Sequence, residues 1–141
     1  MSDAADIQYL DLEPRVEISW PRPTVARIAL EGEHDLRSAP ELELALGNAL
    51  LTCSELVVDL SSVQFLDSST INVLVKMKRD ADRRGCSFKL VLDDSPNIER
   101  TLEICGVLPS LNRVTSAEAA ISVEPLLPST TTVGDGDAQP R

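Results

Sequence analysis

The residues best suited to chemistry in this sequence are an aspartate and three consecutive hydroxyl side chains, Asp67-Ser68-Ser69-Thr70. An almost continuous apolar run at 56–60 precedes them, as expected for a strand buried on both faces, and a helical pattern follows. At a helix N-terminus the backbone N–H groups lack partners and negative charge is favoured. Such hydroxyls can cap the helix or accept a phosphate, and the residues alone favour capping.

The other reactive side chains are few and scattered along the chain. His34 is the single histidine, and Cys53, Cys86 and Cys105 form no closely spaced pair. A zinc site is therefore not expected, nor is a serine–histidine dyad without a second base. We predict a solvated loop position for His34 and reduced core thiols for the cysteines. No catalytic residue, metal or cofactor is predicted.

The composition describes an acidic protein with an aliphatic core. The 141 residues carry a net charge of −10, and 43% are hydrophobic but only 3% aromatic. This charge disfavours binding to nucleic acid or to an anionic membrane. The acidic N-terminus is unlike a signal peptide, and no apolar run reaches membrane-spanning length. We therefore expect a cytoplasmic protein with a protein partner.

The first elements that must position the hydroxyls are two strands and a helix. Alternation predicts a half-buried strand over 16–20, stopped by Pro21 and Pro23, paired antiparallel with a second strand over 25–30 that ends at Gly32. Ser38 and Glu41 have capping-box spacing and open an amphipathic helix. Its apolar stripe consists of Leu42, Ala45, Leu46, Ala49 and Leu50.

The remaining elements alternate strand and helix. The buried strand over 55–60 leads into a helix over 69–84 that stops at Gly85. A strand over 88–92 precedes a helix with Ser95 as N-cap and Pro96 in the first position. A short strand within 108–114 and a helix opened by Thr115 and Glu118 follow. Such alternation implies right-handed crossovers into a partly parallel sheet.

The chain divides into one domain and two tails. Residues 1–13 are predicted to be a flexible acidic tail, and residues 14–123 carry all the periodic segments. Residues 124–141 are rich in Pro, Ser, Thr, Gly and Asp and are predicted to be disordered.

Three motifs make residues 14–123 resemble the STAS domain family. The segment 32–42, Gly-Glu-His-Asp-Leu-Arg-Ser-Ala-Pro-Glu-Leu, is similar to that family's Gly-Glu-x-Asp-x-x-x-Ala-Pro-Glu-Leu. Val-Asp-Leu-Ser at 58–61 and Phe-Leu-Asp-Ser-Ser at 65–69 resemble its strand and phosphorylation loop. The resemblance implies an α/β, STAS-like fold with a mixed sheet of about five strands and about four helices.

Within that family the likeness is to bacterial anti-sigma factor antagonists. It implies a non-enzymatic protein that, when unphosphorylated, binds an anti-sigma factor of the histidine-kinase-like ATPase type, which is also a serine kinase, and so frees a sigma factor. Phosphorylation of Ser69, with Ser68 and Thr70 as lesser candidates, ends that binding. A phosphatase is a further candidate partner. The partner-binding residues are expected to be Asp35, Asp67, Ser68, Ser69, Thr70, Ile71 and Asn72.

Two other functions remain open at this stage. One is a non-switching interaction module of a signalling scaffold or lipid-transport complex, and the other is a nucleotide-binding STAS domain. The family usually has Gly after Asp-Ser-Ser, whereas this chain has Thr70. For Ile71 and Val75 the helical stripe favours a place at the margin of the core over contact with a partner.

Overall fold

The computed structural model describes the backbone of residues 12–123 and the side chains of residues 12–119. The predicted tails at 1–13 and 124–141 lie outside this range, apart from residues 12 and 13. The described chain forms one mixed five-stranded sheet in the order β1-β2-β3-β4-β5. The strands are β1 (Arg15–Arg22), β2 (Val25–His34), β3 (Glu55–Leu66), β4 (Ser87–Val91) and β5 (Arg113–Val114).

Within residues 12–123, four α-helices connect and follow these strands. They are α1 (Ala39–Leu50), α2 (Ser68–Arg84), α3 (Pro96–Ile104) and α4 (Ser116–Val123), with a 3-10 turn at Leu108–Leu111 before β5. Only β1 is antiparallel to its neighbour, and β2 to β5 run parallel. The predicted α/β fold, with about five strands and four helices, is confirmed.

The core lies on the sheet face that packs against α1, α2 and α3. Alternate strand residues point into it, as a period of two requires, and they are Ala26, Ile28, Leu30, Leu56, Val58, Leu60, Phe88 and Leu90. The helices contribute the predicted stripes, including Leu42 and Leu46 from α1 and Leu74 from α2. On the opposite face a smaller cluster joins Val57, Val91 and Ala119. Arg27 points to this second face and is ion-paired there with Asp59.

The first strand differs from the prediction at Pro21. Strand β1 continues through this proline to Arg22, and its pairing with β2 becomes irregular between Ser19 and Arg22. An edge strand tolerates proline because one row of its N–H groups has no sheet neighbour to bond. Ile18 and Trp20 are 46% and 43% exposed, so this strand is less buried than its alternation predicted.

Gly32 does not end the second strand, as the sequence predicted. Strand β2 runs on to His34, and Gly32 has a φ of +83°. The chain at Leu12 and Glu13 crosses directly over it, and the N–H of Glu33 donates to the Leu12 carbonyl at 2.9 Å. A Cβ at position 32 would lie 2.1 Å from the Glu13 carbonyl oxygen. The glycine is therefore needed for a close approach of two backbone segments.

The third strand is longer than its apolar run suggested. Strand β3 extends to Leu66 because β2 continues beside it, and the pairing ends with His34 opposite Leu66. Val63 and Leu66 are buried, while the residues between them are exposed. Two register shifts interrupt the pairing in this second half. The extension carries the hydroxyl residues to the end of a long, irregular strand pair.

The predicted caps had mixed outcomes. Thr115 and Glu118 form a reciprocal capping box, with distances of 3.1 Å from the Glu118 N–H to Thr115 Oγ1 and 2.8 Å from the Thr115 N–H to Glu118 Oε1. Ser95 occupies the N-cap position of α3, but its side chain makes no cap bond. It donates instead to the carbonyls of Ser61 or Asp93, each at 3.1 Å.

Candidate functional site

The predicted site residues meet where β2 and β3 end. Because these strands are parallel neighbours, their carboxyl ends lie at the same edge of the sheet. The N–H of Asp67 donates to the His34 carbonyl at 3.1 Å, which ties the start of α2 to the loop that leads into α1. Asp35 and the segment 67–70 are therefore adjacent, as the sequence predicted.

Asp67 is the residue that caps α2. Its backbone is extended, with φ −105° and ψ −179°, and its Oδ1 accepts the Thr70 N–H at 3.1 Å and the Ser69 hydroxyl at 2.6 Å. This is the usual N-cap arrangement, in which a side-chain oxygen satisfies an N–H of the first turn. Ser68, one of the hydroxyl residues for which the sequence favoured capping, does not cap the helix, because α2 already includes it.

The hydrogen bonds around Asp67 keep its carboxylate charged. Partial burial acts to raise its pKa, but the Ser69 hydroxyl and the N–H groups of Thr70 and Leu36 donate to it and outweigh burial. The pKa of Asp67 therefore lies below its usual value. A fixed negative charge stands directly beside the Ser69 hydroxyl.

The hydroxyl and apolar residues of the first α2 turn differ sharply in exposure. Ser68 and Asn72 are exposed, and Ser69 is half-buried. Thr70 is fully buried, and Ile71 is 4% exposed and part of the core. A protein that docks on the folded domain can reach the first three side chains but not the last two. This placement removes Thr70 and Ile71 from the predicted contact set.

Thr70 also has an unusual polar environment. Its Oγ1 is buried and has no partner at hydrogen-bond distance among the residues that the structure describes. The hydroxyl is still near enough to Asp67 to be the smallest of the causes that lower the pKa of that carboxyl group. Burial of an unpaired hydroxyl costs free energy relative to a methyl group of the same shape. The position therefore accommodates a threonine without requiring its hydroxyl.

The Asp35 loop carries a second, partly neutralised negative charge. Asp35 Oδ1 accepts the Arg37 N–H at 2.9 Å, and the Arg37 guanidinium reaches Oδ2 at 3.1 Å. The side-chain hydrogen bond from Arg37 is the main reason that the pKa of Asp35 is lowered. The charge of Asp67 acts in the opposite direction on this carboxyl group. Two ionised carboxylates thus flank the corner, which is formed by the Asp35 loop and residues 67–70.

His34 is buried beneath this corner, so its predicted solvated position is wrong. It is 0% exposed, with Nε2 3.0 Å from the Glu31 carbonyl oxygen and Nδ1 3.2 Å from Ser38 Oγ. Ser38 Oγ also accepts the Asp35 N–H at 3.2 Å. Ser38 therefore does not form the predicted capping box with Glu41, and its hydroxyl instead fixes the loop that presents Asp35.

Acidification is expected to destabilise the protein through His34. Desolvation by burial lowers its pKa below the ordinary value of 6.5, so the unfolded state binds the proton more readily. The free energy of unfolding should fall as the pH drops below about 6.5, until the lower folded-state pKa is reached. Urea unfolding at about pH 7.5 and about pH 5.5 measures this difference.

The matched variant is His34→Gln, which cannot titrate. It is expected to show a flatter pH dependence over this window, whatever its stability at neutral pH. Asp35 and Asp67, whose pKa values lie below 3.8, lose their charges only at lower pH. An equally steep slope in His34→Gln would contradict the assignment.

A cleft between α1 and α2 lies beside Ser69. Its volume is about 320 Å³, and it is lined by Leu36, Ala39, Pro40, Glu43, Ser69, Asn72, Val73 and Lys76. Leu36 is 71% exposed, and Lys76 is ion-paired with Glu43. The sequence gives no local sign of this cleft, because α1 and α2 come together only in the folded chain.

The described part of the chain lacks two other kinds of feature. No group of three or more His, Cys, Asp or Glu side chains there is arranged to hold a metal ion. None of its helices is long and apolar enough to span a membrane.

Solved structures with the same fold include proteins of several kinds. An anti-sigma factor antagonist from Mycobacterium paratuberculosis is 23% identical with a TM-score of 0.69, over 79% of this chain and 94% of that one. The Bacillus cell fate determinant SpoIIAA in its phosphorylated form is 18% identical with a TM-score of 0.62, over 78% of this chain and 100% of that one. The STAS domain of a SulP transporter from Vibrio cholerae is 22% identical with a TM-score of 0.52, over 75% of this chain and 89% of that one.

The sequence comparisons identify the family. None of the curated proteins matches this chain. The family model described as "Mlab, STAS domain" matches residues 22–108, which is more than half of the chain and includes both loops of the site. The chain therefore belongs to the STAS domain family.

Proposed function

We propose that this protein is a cytoplasmic anti-sigma factor antagonist that is switched by phosphorylation of Ser69. Unphosphorylated, it binds an anti-sigma factor of the histidine-kinase-like ATPase type and so frees a sigma factor. The observation that carries the proposal is the position of Ser69, half-buried beside a cleft and hydrogen-bonded to Asp67 at 2.6 Å. The protein acts by binding, and its partner supplies the phosphoryl-transfer chemistry.

Among the three hydroxyls, Ser69 is the one whose modification would change the site most. Thr70 is buried with its hydroxyl inside the domain, and Ser68 is exposed to solvent. A phosphate on Ser69 would replace the hydroxyl that donates to Asp67. It would place a charge of about −1.5 to −2 beside that carboxylate.

The proposed switch requires no refolding of the domain. The N-terminus of α2 would stabilise the phosphate by about 0.3–1 kcal/mol. The carboxylates of Asp67 and Asp35 oppose it. When a partner covers the corner, the phosphate loses its hydration and needs a cation to compensate. A contact surface built for a neutral serine lacks that cation, so the phosphorylated form dissociates.

The similarity to antagonist structures supports the proposal at the level of the fold. One of those structures is a phosphorylated form of SpoIIAA. In this chain, Asp35, Asp67, Ser68, Ser69 and Asn72 lie at one edge of the sheet with their side chains at least partly exposed. They form the proposed contact surface, together with Leu36 in the cleft.

Phosphorylation is tested by incubating the full chain with a purified serine kinase of this ATPase class and ATP. We expect a mass gain of one phosphate, located on Ser69 by peptide fragmentation. Ser69→Ala should abolish the gain, whereas Ser68→Ala and Thr70→Val should retain it. Thr70→Val keeps the buried shape and removes only the unpaired hydroxyl. The proposal would be refuted by no mass gain within residues 68–70, or by an undiminished mass gain in Ser69→Ala.

A second candidate is a STAS module that binds a partner without switching. It is favoured by Thr70, which stands where the family usually has glycine, and by the likeness to a transporter STAS domain. A module of this kind would capture the same partners whether residue 69 is serine, alanine or aspartate. A comparison of partners captured by these three forms therefore separates the two candidates.

A further inference from the structure

Two of the three cysteines lie in contact at the edge of the sheet opposite Ser69. Cys53 lies in the turn between α1 and β3, and Cys86 lies between α2 and β4. Their Sγ atoms are 3.3 Å apart. The Ser87 N–H donates to the Ser54 carbonyl at 2.9 Å, so a backbone hydrogen bond next to both residues holds the two segments together. The sequence predicted reduced core thiols for all three cysteines, and this prediction is wrong for Cys105, which is exposed.

The surroundings of these thiols decide how they react. Burial raises the pKa of Cys53, and it raises that of Cys86 to about 12. Thiolates are the reactive form, so both residues resist rapid oxidation. Cys53 is half-buried and Cys86 is buried, which makes Cys53 the sulfur that a reagent reaches first. Cys105 is exposed at the end of α3 and serves as an internal control.

We propose that Cys53 and Cys86 form an intramolecular disulfide when the protein meets a low-molecular-weight disulfide. The Cys53 thiolate, after losing its proton to solvent, attacks one sulfur of the reagent and releases the other half as a thiol. Cys86 then loses its proton and attacks Cys53 Sγ, which releases the second thiol. The two cysteines are oxidised by two electrons, and the reagent is reduced to two thiols.

The geometry requires only a small adjustment. A disulfide has an S–S length of about 2.0 Å, so the two sulfur atoms must approach by little more than 1 Å from van der Waals contact. Side-chain rotation supplies such a displacement, because neither cysteine lies within a helix or strand. The raised pKa values make the reaction slow, so the site responds to sustained oxidation.

The disulfide would close a loop around the strand and helix that flank Ser69. The closed segment, 53–86, contains all of β3 and α2. Such a cross-link restricts the unfolded chain, so it stabilises the unit without touching Asp67 or Ser69. Since the cysteines lie at the amino ends of β3 and β4, the bond forms at the opposite edge from the proposed contact surface. The inference is therefore independent of the proposed function.

The test is oxidation of the full chain with oxidised glutathione at alkaline pH. Non-reducing peptide mapping should join the Cys53 and Cys86 peptides. The intact mass should fall by two hydrogens in Cys105→Ser, because exposed Cys105 of the wild-type chain also takes up a glutathione adduct. The thermal midpoint should rise by about 10 °C and return to its original value after dithiothreitol. Cys105→Ser should form the same Cys53–Cys86 link and show the same rise of the thermal midpoint, whereas Cys53→Ser should form no Cys53–Cys86 link.

Three results would overturn the inference. The first is recovery of free Cys53 and Cys86 after oxidation, with cross-links only through Cys105. The second is a mixed glutathione adduct on Cys53 that never resolves, and the third is a Cys53–Cys86 link that leaves the midpoint unchanged. If Cys53→Ser does not fold, peptide mapping of Cys105→Ser still decides the outcome, because that variant keeps both contact thiols.

Discussion

Gly32→Ala is expected to lower the free energy of unfolding by about 3 kcal/mol or more. The residue has a φ of +83°, which is unfavourable for any side chain with a Cβ. The new methyl group would also lie 2.1 Å from the Glu13 carbonyl oxygen and 2.9 Å from that of Leu12. Both atoms are backbone, so the crossing segment must move away and break the Glu33–Leu12 hydrogen bond.

Substitution of two other glycines distinguishes the steric cost of the close crossing from the conformational cost of a positive φ. Gly85 ends α2 with a φ of +72°, and no heavy atom of the described residues outside its immediate neighbours lies within 4 Å of its added Cβ. Gly85→Ala should cost only about 1 kcal/mol. Gly47 lies within α1 with equally open space, and Gly47→Ala should stabilise by about 0.5–1 kcal/mol. Urea unfolding measures all three; similar losses at positions 32 and 85 would contradict the close crossing.

Ser69→Glu is expected to weaken binding to the proposed anti-sigma partner by roughly 100-fold or more. The substitution puts a third carboxylate beside Asp67 and Asp35 and removes the hydroxyl donor that Asp67 uses. In the complex these charges would be desolvated without a compensating cation. Ser69→Ala removes the hydroxyl without adding charge, so we expect its affinity to stay within a few-fold of wild type.

Calorimetry with the purified ATPase partner measures these affinities directly. Ser87→Glu is the matched control, because it adds the same charge at an exposed position near the amino end of β4. It should bind like the wild-type chain. Equal losses in Ser69→Glu and Ser87→Glu would attribute the effect to net charge rather than to the corner. Thermal unfolding of each variant confirms that the compared proteins are folded.

The order of elements could be predicted because each leaves a local pattern. The apolar run at 56–60, the helical stripe of α1 and the reciprocal pair of Thr115 and Glu118 depend on neighbours within a few residues. The resemblance to the STAS family placed Asp35 and Asp67 in one partner-binding set, and the parallel ends of β2 and β3 bring them together in the structure. These features are present in the structure, although β2 and β3 extend several residues beyond their predicted ends.

The predictions fail where the role of a residue depends on contacts with a distant part of the chain. Gly32 looked like a turn because nothing local reveals that Leu12 and Glu13 cross over it. Ser38 had capping-box spacing, but buried His34 and the Asp35 N–H engage its hydroxyl instead. Pro21 was read as a strand end because the sequence does not show that β1 is an edge. The exposure of Ser69 and the burial of Thr70 depend in the same way on packing between α1 and α2.

The exposed corner can change in sequence without disturbing the buried core. Leu36, Ser68 and Asn72 are exposed, so replacing them alters the surface that a partner meets at little cost to folding. Under the proposed function, homologous chains can therefore differ in partner by a few surface substitutions. Where one cell holds several of these pathways, cross-talk between them is then limited by residues that contribute almost nothing to stability.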